Sequence, residues 1–547
     1  KKWQQEGKTT TMTTKWIHFI DCRVIRTLLD RGTNSNKTKS NNNSNSYHRQ
    51  WKQDLGRANV IVNVADGIVS HVTLLSDKGD TNKDNVPKSM GANNEKEEDE
   101  EEKKIDEELY EMLEILKRCK DEEGEDSVEE IQCRGNILSP GFIDIQLNGA
   151  FGVDFSNPNI TQNDIIKNVS SRLPQHGVTS FCPTIISSSF DTYCKILPLI
   201  GPLCQCCEKE KDQGRNNDDN IVGANILGLH LEGPFFAISK KGAHSEEHIH
   251  DPTAATTTTT EHTYGISMSS PKKNDGIVIV TLAPERPGAI SLIKELSNQN
   301  VVVAMGHTDA TLAEGIEGVT SGATLITHLF NAMNPFHHRE PGMLGMLMLD
   351  DDDGSDGNDE SHNSVSTNKN ENGPVTSDRN ISKHRPYFSL IVDGIHSHPS
   401  AVKLAHRLHP NGCVLVTDAM SAMGLGDGTH TLGTMKVDIK GNRATVSGTN
   451  TLAGSVVSMD SCVKSYRKFT KCSVGEAIRA ATLHPAKVLG IDNRKGRICA
   501  GYDADLTLLG VDELDVMGTW VGGKKEFDNI SSAVCFGGSK KRKIEQS

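Results

Sequence analysis

The stretch SPGFIDIQLNGAFGVDF, from Ser139 to Phe155, opens with an apolar run and then changes to polar and glycine-rich residues. Gln146 and Asn148 occupy alternate positions within it, so a β-strand would present both side chains on one face. A strand end with two such groups is typical of a metal site. Both groups are neutral amides, however, and amides hold a transition metal less well than imidazole or carboxylate groups do. The stretch therefore predicts a buried strand that leads into a functional site.

Seven further stretches in the middle of the chain have the same form, a short apolar run that ends in polar residues or glycine. They are TSFCPTII (from Thr179), ILGLHLEG (Ile226), IVIVTLAPE (Ile277), VVVAMGH (Val301), ATLITHLFNAM (Ala323), YFSLIVDGIHS (Tyr387) and GCVLVTDAM (Gly412). Most are separated by stretches long enough for a helix, such as ISLIKELSNQN and SAVKLAHRLHP. Eight such units predict a (β/α)8 TIM-like barrel, in which the chemistry lies at the carboxyl ends of the strands.

The segments on both sides of this region have sequence patterns typical of hairpin strands. They are KWIHFIDCRVI and NVIVNVADGIVSHVTLL before the barrel, and GTMKVDIKGNRATVSGT and GYDADLTLLGVD after it. We therefore predict a small β-sandwich domain built from both chain ends. The predicted sandwich takes residues 12–138, 431–450 and 491–536. The barrel takes 139–430, with its last helices extending to about 490, and a flexible tail takes 537–547.

Four tracts of low apolar content interrupt this pattern, at about 33–50, 77–104, 253–275 and 350–383. Such compositions bury too little apolar surface to offset chain entropy, so we expect disordered surface insertions. After the acidic run of the second tract, apolar residues recur at helical spacing and predict an amphipathic helix. They are Ile105, Leu109, Met112, Leu113 and Leu116.

Bulk composition excludes several classes of protein. The net charge is -13, whereas a nucleic-acid-binding protein carries a basic face. No apolar run reaches the length of a membrane span, and the first residues lack the pattern of a signal peptide. The 13 cysteines, an odd number without regular spacing, indicate reduced thiols. We expect a cytoplasmic enzyme, with neither nucleic acid nor a membrane as its partner.

Polar side chains close nearly every predicted barrel strand. In chain order they are Gln146, Asn148, His230, Glu232, Glu285, His307, His328, Asn331, His396 and Asp418. One histidine at a strand end is more often structural than functional, but several on successive strands favour a site. Imidazoles and carboxylates gathered on one face can hold a divalent metal ion and leave a position for water. The pattern predicts a metal-dependent hydrolase.

Two charged residues have more specific interpretations. Asp418 ends the last predicted strand, where a carboxylate beside the metal site can act as general base; the alternative is a cap of the next helix. Arg339 follows the sixth strand in a Pro/Gly-rich loop. Its guanidinium suits a phosphate or carboxylate on a substrate, and the alternative is a surface ion pair.

Eight motifs in order resemble those of the N-acetylglucosamine-6-phosphate deacetylases of the amidohydrolase superfamily. They are PGFIDIQLNG, GLHLEGPFF with KKGAH, TLAPE, MGHTDAT, THLFNAMNPFHHREPG, DGIHSHP, LVTDAM and LAGS. The resemblance covers most of the chain from Pro140 to Asp505, apart from the insertions. It implies hydrolysis of N-acetyl-D-glucosamine 6-phosphate to acetate and D-glucosamine 6-phosphate.

The resemblance also implies a role for individual residues. Glu232, His307 and His328 would hold one divalent metal ion per subunit, with zinc as the expected ion. Asp418 would be the acid/base, and His244, from KKGAH, would polarise the acetyl carbonyl. The implied substrate-binding residues are His244, Asn331, Ala332, Arg339, His396, Leu452, Ala453 and Gly454. The family resemblance further implies a homodimer in which Arg339 or His396 acts on the neighbouring subunit's substrate.

The resemblance also bears on the two amides of the opening stretch, Gln146 and Asn148. Many relatives in the superfamily carry His-x-His on the first barrel strand, where it helps to hold a metal, sometimes one of two. Because Gln146 and Asn148 stand there in this chain, we expect one metal rather than two. We expect both amides to position water or substrate.

Two alternatives stay open from the sequence. Another amidohydrolase, acting on N-acyl-amino acids or cyclic amides, would use the same metal chemistry without needing Arg339 for a phosphate. A catalytically silent scaffold, with its acidic and Asn-rich tracts as binding arms, is the other. The intact set of Glu232, His307, His328 and Asp418 speaks against the scaffold.

Overall fold

The structure is a computed structural model, and it describes part of the chain. The described residues are 16–25, 55–63, 66–74, 127–205, 222–252, 256–265, 276–349, 385–432, 435–450 and 452–530, with a few residues between 110 and 121. The expected insertions at 33–50, 77–104 and 350–383 and the tail at 537–547 lie outside these residues.

Eight parallel strands form the centre of the molecule. They are Phe142–Leu147, Val178–Ile186, Leu229–Glu232, Ile277–Leu282, Val302–Met305, Leu325–Ile326, Tyr387–Ile391 and Cys413–Val416, numbered here as barrel strands 1 to 8. Each pairs in parallel with the next. Strand 8 returns to strand 1 through a parallel bridge between Leu147 and Ala419. The predicted barrel is confirmed, with all eight strands where the sequence indicated them. A short strand, Asn225–Ile226, also pairs with strand 2.

The barrel strands are apolar because both of their faces are covered. Every residue of strand 1 is buried, and so is every residue of strand 8, as expected for parallel strands flanked by helices. Two residues after strand 1 the chain passes through a position that requires glycine. A Cβ atom on Gly149 would lie 2.3 Å from the carbonyl oxygen of Val153, in the small hairpin Gly149–Ala150 and Val153–Asp154.

Helices cover the outside of the barrel. The α-helices are Gln162–Asp164, Phe190–Ile200, Thr256–Tyr264, Ala289–Asn298, Leu312–Thr320, Gly342–Gly345, Pro399–Leu408, Met459–Thr470, Val474–Arg479 and Leu483–Val488. Short 3-10 turns are Leu173–His176, Gly201–Leu203, Ile238–Lys240, Glu246–His248, Met346–Met348 and Pro410–Gly412, and Ile165–Ser170 is a π-helix. In Ala289–Asn298 the buried residues Ala289, Leu292, Ile293 and Leu296 follow the spacing of one helix face. Within the described residues no helix is long and apolar enough to span a membrane.

Both chain ends build a second, eight-stranded sheet. Its strands are Trp16–Ile25, Leu55–Asn63, Ile68–Leu74, Val128–Gln132, Ile137–Pro140, Leu506–Leu509, Val516–Val521 and Lys524–Asp528. In a flat sheet, the strands that carry Phe19 and Trp520 would be three spacings, or about 14 Å, apart. Their rings nevertheless meet edge to face, with centroids 4.8 Å apart. The sheet must therefore curve around an apolar core, which agrees with the predicted β-domain from both ends.

Residues 431–450, which we assigned to this terminal domain, lie in another sheet. Gly428–Leu432, Met435–Lys440, Arg443–Val446 and Leu452–Ser455 pair in an antiparallel sheet of four strands. The backbone N–H of Met420 donates to the carbonyl of Ser455 at 2.9 Å and ties this sheet to the end of barrel strand 8. An alternating pattern predicts hairpin strands but not the sheet that they join. Here the short connection from strand 8 keeps them at the barrel mouth.

Two predictions on helices have different outcomes. Thr256–Tyr264, expected within a disordered insertion, is an α-helix. Its Tyr264 is fully buried, with its ring 5.0 Å from that of Tyr193, and its hydroxyl donates to the carbonyl of Gly233 at 2.8 Å. For the predicted amphipathic helix, the described residues between 110 and 121 are helical, and Leu116 packs with Ile61 and Val128. The helix prediction at Ile105, Leu109, Met112 and Leu113 falls on residues outside the described part.

Candidate active site

Three buried side chains converge at the carboxyl ends of strands 3, 5 and 6. Glu232 ends strand 3, His307 follows strand 5 and His328 follows strand 6, and each is at most 5% exposed. Glu232 Oε1 lies 3.4 Å from His307 Nε2 and 3.1 Å from His328 Nε2. The two Nε2 atoms are 3.1 Å apart. Among the described residues this is the group of histidine, cysteine and acidic side chains that could hold a metal ion.

The spacing of these atoms fits a metal ion. Ligand bonds of about 2.0–2.1 Å at tetrahedral angles separate neighbouring ligand atoms by about 3.4 Å, close to the distances observed here. The carbonyl of Lys240 lies 2.8 Å from His307 Nδ1, which donates to it and leaves the Nε2 lone pair facing the cluster. Burial acts to raise the pKa of Glu232, but the neighbouring imidazoles of His307 and His328 outweigh it and hold that pKa well below its ordinary value. The cluster can therefore hold a divalent cation with an ionised carboxylate.

Strained backbone accompanies the cluster. His307, His328 and Asp418 have φ angles of 50°, 28° and 45°, in the left-handed region that non-glycine residues seldom adopt. Ala332, four residues after His328, has φ 51° and accepts a hydrogen bond from the backbone N–H of Thr308 at 3.1 Å. Such conformations persist where the surrounding structure holds them, and they concentrate at functional sites. The same strand ends thus carry both the strain and the candidate chemistry.

Asp418 follows strand 8, where two hydrogen bonds place it. Its backbone N–H donates to the carbonyl of Gln146 at 2.9 Å, and its Oδ1 accepts from Asn148 Nδ2 at 2.6 Å. Burial, with the nearby charge of Glu232, raises the pKa of Asp418 well above its ordinary value. A carboxyl group with a raised pKa can both accept and return a proton near neutral pH.

The structure assigns His244 a defined tautomer. His244 is 6% exposed, and the backbone N–H of Ser187 donates to its Nδ1 at 3.2 Å. Because Nδ1 accepts, the proton lies on Nε2, which is 3.9 Å from Glu232 Oε2. Burial lowers the pKa of His244 to about 3, so the ring is neutral near pH 7. His244 therefore presents an N–H donor beside the cluster.

Gln146, in strand 1, and Asn148, just after it, each bind a carboxylate. Gln146 Nε2 donates to Glu232 Oε1 at 2.8 Å, and Asn148 binds Asp418 as described above. We expected both amides to position water or substrate. In the structure their observed contacts orient the acidic groups of the site, and Asn148 Oδ1 is a buried acceptor without a protein partner among the described residues.

The expected substrate-binding residues lie in the segments of the chain that follow barrel strands 3, 6, 7 and 8. Asn331 Nδ2 donates to the carbonyl of His328 at 3.3 Å. His396 follows strand 7, and its Nδ1 lies 2.6 Å from the buried Asp393 Oδ2. Arg339 lies in an exposed loop, and no hydrogen bond or ion pair of the described residues joins it to the metal cluster. Leu452, Ala453 and Gly454 form one edge of the four-stranded sheet.

Two polar residues at strand ends have structural partners instead. His230 is buried between the carbonyl of Ile145, 3.0 Å from Nδ1, and the hydroxyl of Thr281, 2.7 Å from Nε2. Burial lowers its pKa to about 4. Glu285 accepts from the hydroxyl of Thr308 at 2.5 Å and from the backbone N–H of Asp309 at 2.8 Å. His230 thus joins strand 3 to strands 1 and 4, and Glu285 stabilises the loop after strand 5.

Sequence reasoning missed Ser187, Asp393 and Asp144, which support the site. Ser187 contacts His244 Nδ1 through its backbone N–H and through its hydroxyl, which is 2.9 Å away, and nothing in the local sequence pairs these two distant residues. Asp393 precedes His396 by three residues, a spacing that could have indicated the pair. Asp144 lies two residues before Gln146 within the opening stretch and was treated there as part of a buried strand.

The chain is similar to known proteins over most of its length. Residues 137–528 match the Amidohydrolase family model. The N-acetylglucosamine-6-phosphate deacetylase of Bos taurus is 43% identical, over 72% of this chain and 85% of the relative. That of Bacillus subtilis (strain 168) is 34% identical, over 70% of this chain and 83% of the relative. The crystal structure of the Pasteurella multocida enzyme of that name aligns with a TM-score of 0.62 at 22% identity, covering 93% of this chain and 99% of that chain.

Proposed function

Because this chain belongs to the amidohydrolase family and, within it, to the N-acetylglucosamine-6-phosphate deacetylases, we propose a role for each residue of the site. The protein is a metal-dependent hydrolase of amino-sugar metabolism. It converts N-acetyl-D-glucosamine 6-phosphate and water into D-glucosamine 6-phosphate and acetate. The observation that carries this function is the buried Glu232, His307 and His328 cluster, with Asp418 beside it, in a chain of this family.

Glu232, His307 and His328 hold one divalent cation in this proposal, with zinc as the ion. Two imidazole nitrogens and one carboxylate oxygen are a common set of protein ligands at catalytic zinc sites, which keep a further position open. When bound, such an ion acts as a Lewis acid on the amide carbonyl and lowers the pKa of water. Gln146 keeps the Glu232 carboxylate in place by donating to its Oε1.

Asp418 is the proton carrier in this proposal. It accepts a proton from the attacking water and returns it to the departing amine. Asn148 occupies Oδ1 of Asp418 at 2.6 Å, so proton transfer is left to Oδ2. The raised pKa of Asp418 supports both steps, because a carboxyl group with an ordinary pKa would return a proton less readily.

His244 stabilises the negative charge that develops on the acetyl oxygen. Its neutral ring with the proton on Nε2 is a donor already placed before the reaction begins. A donor that needs no reorientation stabilises the transition state more than the ground state. The contact of Ser187 with Nδ1 keeps the ring in that tautomer.

The sugar phosphate is bound by Asn331, Ala332, Arg339, His396 and the segment 452–454 in this proposal. We further propose a homodimer in which Arg339 reaches the substrate of the neighbouring subunit. The exposed position of Arg339 supports this arrangement, as do the apolar side chains near it in the chain, Phe336 and Met348, which are 53% and 51% exposed. A cytoplasmic location fits the nine described cysteines, which form no disulfide.

Acetate release by the metal-reconstituted protein tests the function. We expect turnover of N-acetylglucosamine 6-phosphate and at least about 100-fold lower kcat/KM for N-acetylglucosamine, because the phosphate partners then stay unpaired. The Glu232→Ala variant controls for metal-independent hydrolysis. Equal turnover of both substrates, or activity that survives in Glu232→Ala, would contradict the proposal.

A further inference from the structure

Asp144 is a buried carboxylate that the reaction as described above does not use. It lies in the middle of barrel strand 1 and is 1% exposed. No salt bridge joins it to a lysine, arginine or histidine of the described residues. Burial raises the pKa of Asp144 to about 7, with hydrogen bonds offsetting part of the effect. A buried carboxylate without a cation costs free energy, so a residue that only packs would be apolar.

Asp144 binds the residue next to Asp418. Its Oδ2 accepts from the hydroxyl of Thr417 at 2.5 Å. Its Oδ1 accepts from two backbone N–H groups, those of Thr417 and Gln146, both at 3.3 Å. One carboxylate therefore joins strand 8 to strand 1, where the barrel closes.

This contact involves the residue that precedes Asp418, the proposed proton carrier. Asp418 has a left-handed φ of 45°, so its backbone needs support from its neighbours. In the residue before it, the Thr417 hydroxyl binds Asp144 and also accepts from the backbone N–H of Ala419 at 3.4 Å. The Thr417 hydroxyl thus links the buried carboxylate to both sides of the strained residue.

We propose that Asp144 is a positioning residue for the deacetylation: through Thr417 it fixes the backbone from which Asp418 reaches Asn148 and the substrate. This inference rests on the proposed role of Asp418. In its ionised form Asp144 suits the task because both of its oxygens only accept, and the three groups around it all donate. Asparagine would offer one acceptor oxygen and one donor in the same space.

A matched pair of variants at Thr417 tests the link without changing the buried charge. Thr417→Val removes the hydroxyl and keeps the shape, whereas Thr417→Ser keeps the hydroxyl. We expect Thr417→Val to lower kcat by about 10- to 100-fold, the loss typical of a small misplacement of a reacting group. KM and bound metal should stay unchanged, and Thr417→Ser should restore most of kcat.

A second control removes a buried threonine hydroxyl elsewhere. Thr519, in the terminal sheet, donates to the carbonyl of Pro174 at 2.8 Å and is fully buried. Thr519→Val should lower the melting temperature as Thr417→Val does and leave kcat unchanged. A kcat in Thr417→Val within about twofold of the Thr519→Val control would overturn the inference, because the hydroxyl would then only stabilise the fold.

A crystal structure of Thr417→Val gives a readout that does not need activity. We expect the contact between Asp418 Oδ1 and Asn148 Nδ2 to lengthen beyond hydrogen-bond distance. An unchanged contact would refute the positioning role, whatever the kinetics. If the parent protein released no acetate at all, the proposed function would fail, and the structure of this variant would still decide the role of Asp144.

Discussion

The metal cluster and the expected phosphate-binding residues lie in contrasting surroundings at the same barrel mouth. Glu232, His307 and His328 are almost fully buried and contact one another within 3.4 Å. Arg339 lies in an exposed loop, apart from that cluster. The groups that we propose to act on the amide are thus preorganised by contacts with one another, whereas Arg339, which we propose to bind the phosphate, makes no hydrogen bond or ion pair with them among the described residues. We call Glu232, His307 and His328 the inner group and the expected phosphate-binding residues the outer group. Changes in the inner group should therefore alter kcat and metal binding, and changes in the outer group should alter KM.

The largest effect expected is that of Asp418→Asn. An amide cannot carry the proton, so kcat should fall by about 1,000-fold or more, near the upper range for general acid–base catalysis. Bound metal and the melting temperature should match those of the parent, since Asn148 can still bind an amide oxygen. Metal analysis and calorimetry of the purified variant check this, and full turnover would remove Asp418 from the mechanism.

The next largest effect is expected for Arg339→Ala, which changes a residue of the outer group. Loss of the guanidinium should raise KM for the phosphorylated substrate by about 10- to 100-fold, in the range of a lost charge-assisted hydrogen bond. Turnover of N-acetylglucosamine should not change. Arg407→Ala, at an exposed arginine in the last turn of the helix Pro399–Leu408, is the matched control.

Mixing Arg339→Ala with Asp418→Asn, at a substrate concentration well below the KM of Arg339→Ala, sharpens the same comparison. If Arg339 acts on the neighbouring subunit's substrate, heterodimers of Arg339→Ala and Asp418→Asn contain one complete site. Activity should then appear after subunit exchange. A mixture that is no more active than its components would place Arg339 in the site of its own subunit.

A smaller effect is expected for Gln146→Leu, at a residue that binds Glu232 of the inner group. The change removes the 2.8 Å hydrogen bond to Glu232 Oε1. Metal affinity should fall by about 10-fold or more, because groups that orient a ligand tune its affinity. Gln162→Leu, which removes an amide bonded to the carbonyl of Leu199, controls for the loss of a glutamine, and metal titration compares the two variants.

The smallest effect concerns the scaffold behind both groups. Burial lowers the pKa of His484 to about 4, and its Nδ1 donates to the carbonyl of Cys413 in strand 8 at 2.6 Å. Since the unfolded state takes up a proton near pH 6.5 and the folded state does so only near pH 4, the free energy of unfolding should fall as the pH decreases between these values. Denaturant unfolding across this window should show a shallower slope for His484→Gln, and an equal slope would contradict the prediction.

Much of the fold was predictable because its signals are local. Each barrel strand is a short apolar run that ends in polar residues, and burial on both faces explains that composition. The four-stranded sheet was placed wrongly for a related reason: alternation identifies Met435–Lys440 and Arg443–Val446 as hairpin strands, whereas the choice of partner depends on the chain path after strand 8. For Thr256–Tyr264, a threonine-rich composition concealed a helix that the buried Tyr264 holds in place.

By itself the sequence determined the eight strands and which residue types stand at their ends, since burial and periodicity act within each segment. Only the tertiary structure decided which of those ends meet. Glu232 faces two imidazoles, whereas His230, two residues earlier on the same strand, is satisfied by Ile145 and Thr281. The tautomer of His244 likewise depends on the backbone N–H of Ser187, the residue that follows barrel strand 2. Register and backbone angle set these contacts between segments that are distant in the chain, and neither is encoded in any one stretch.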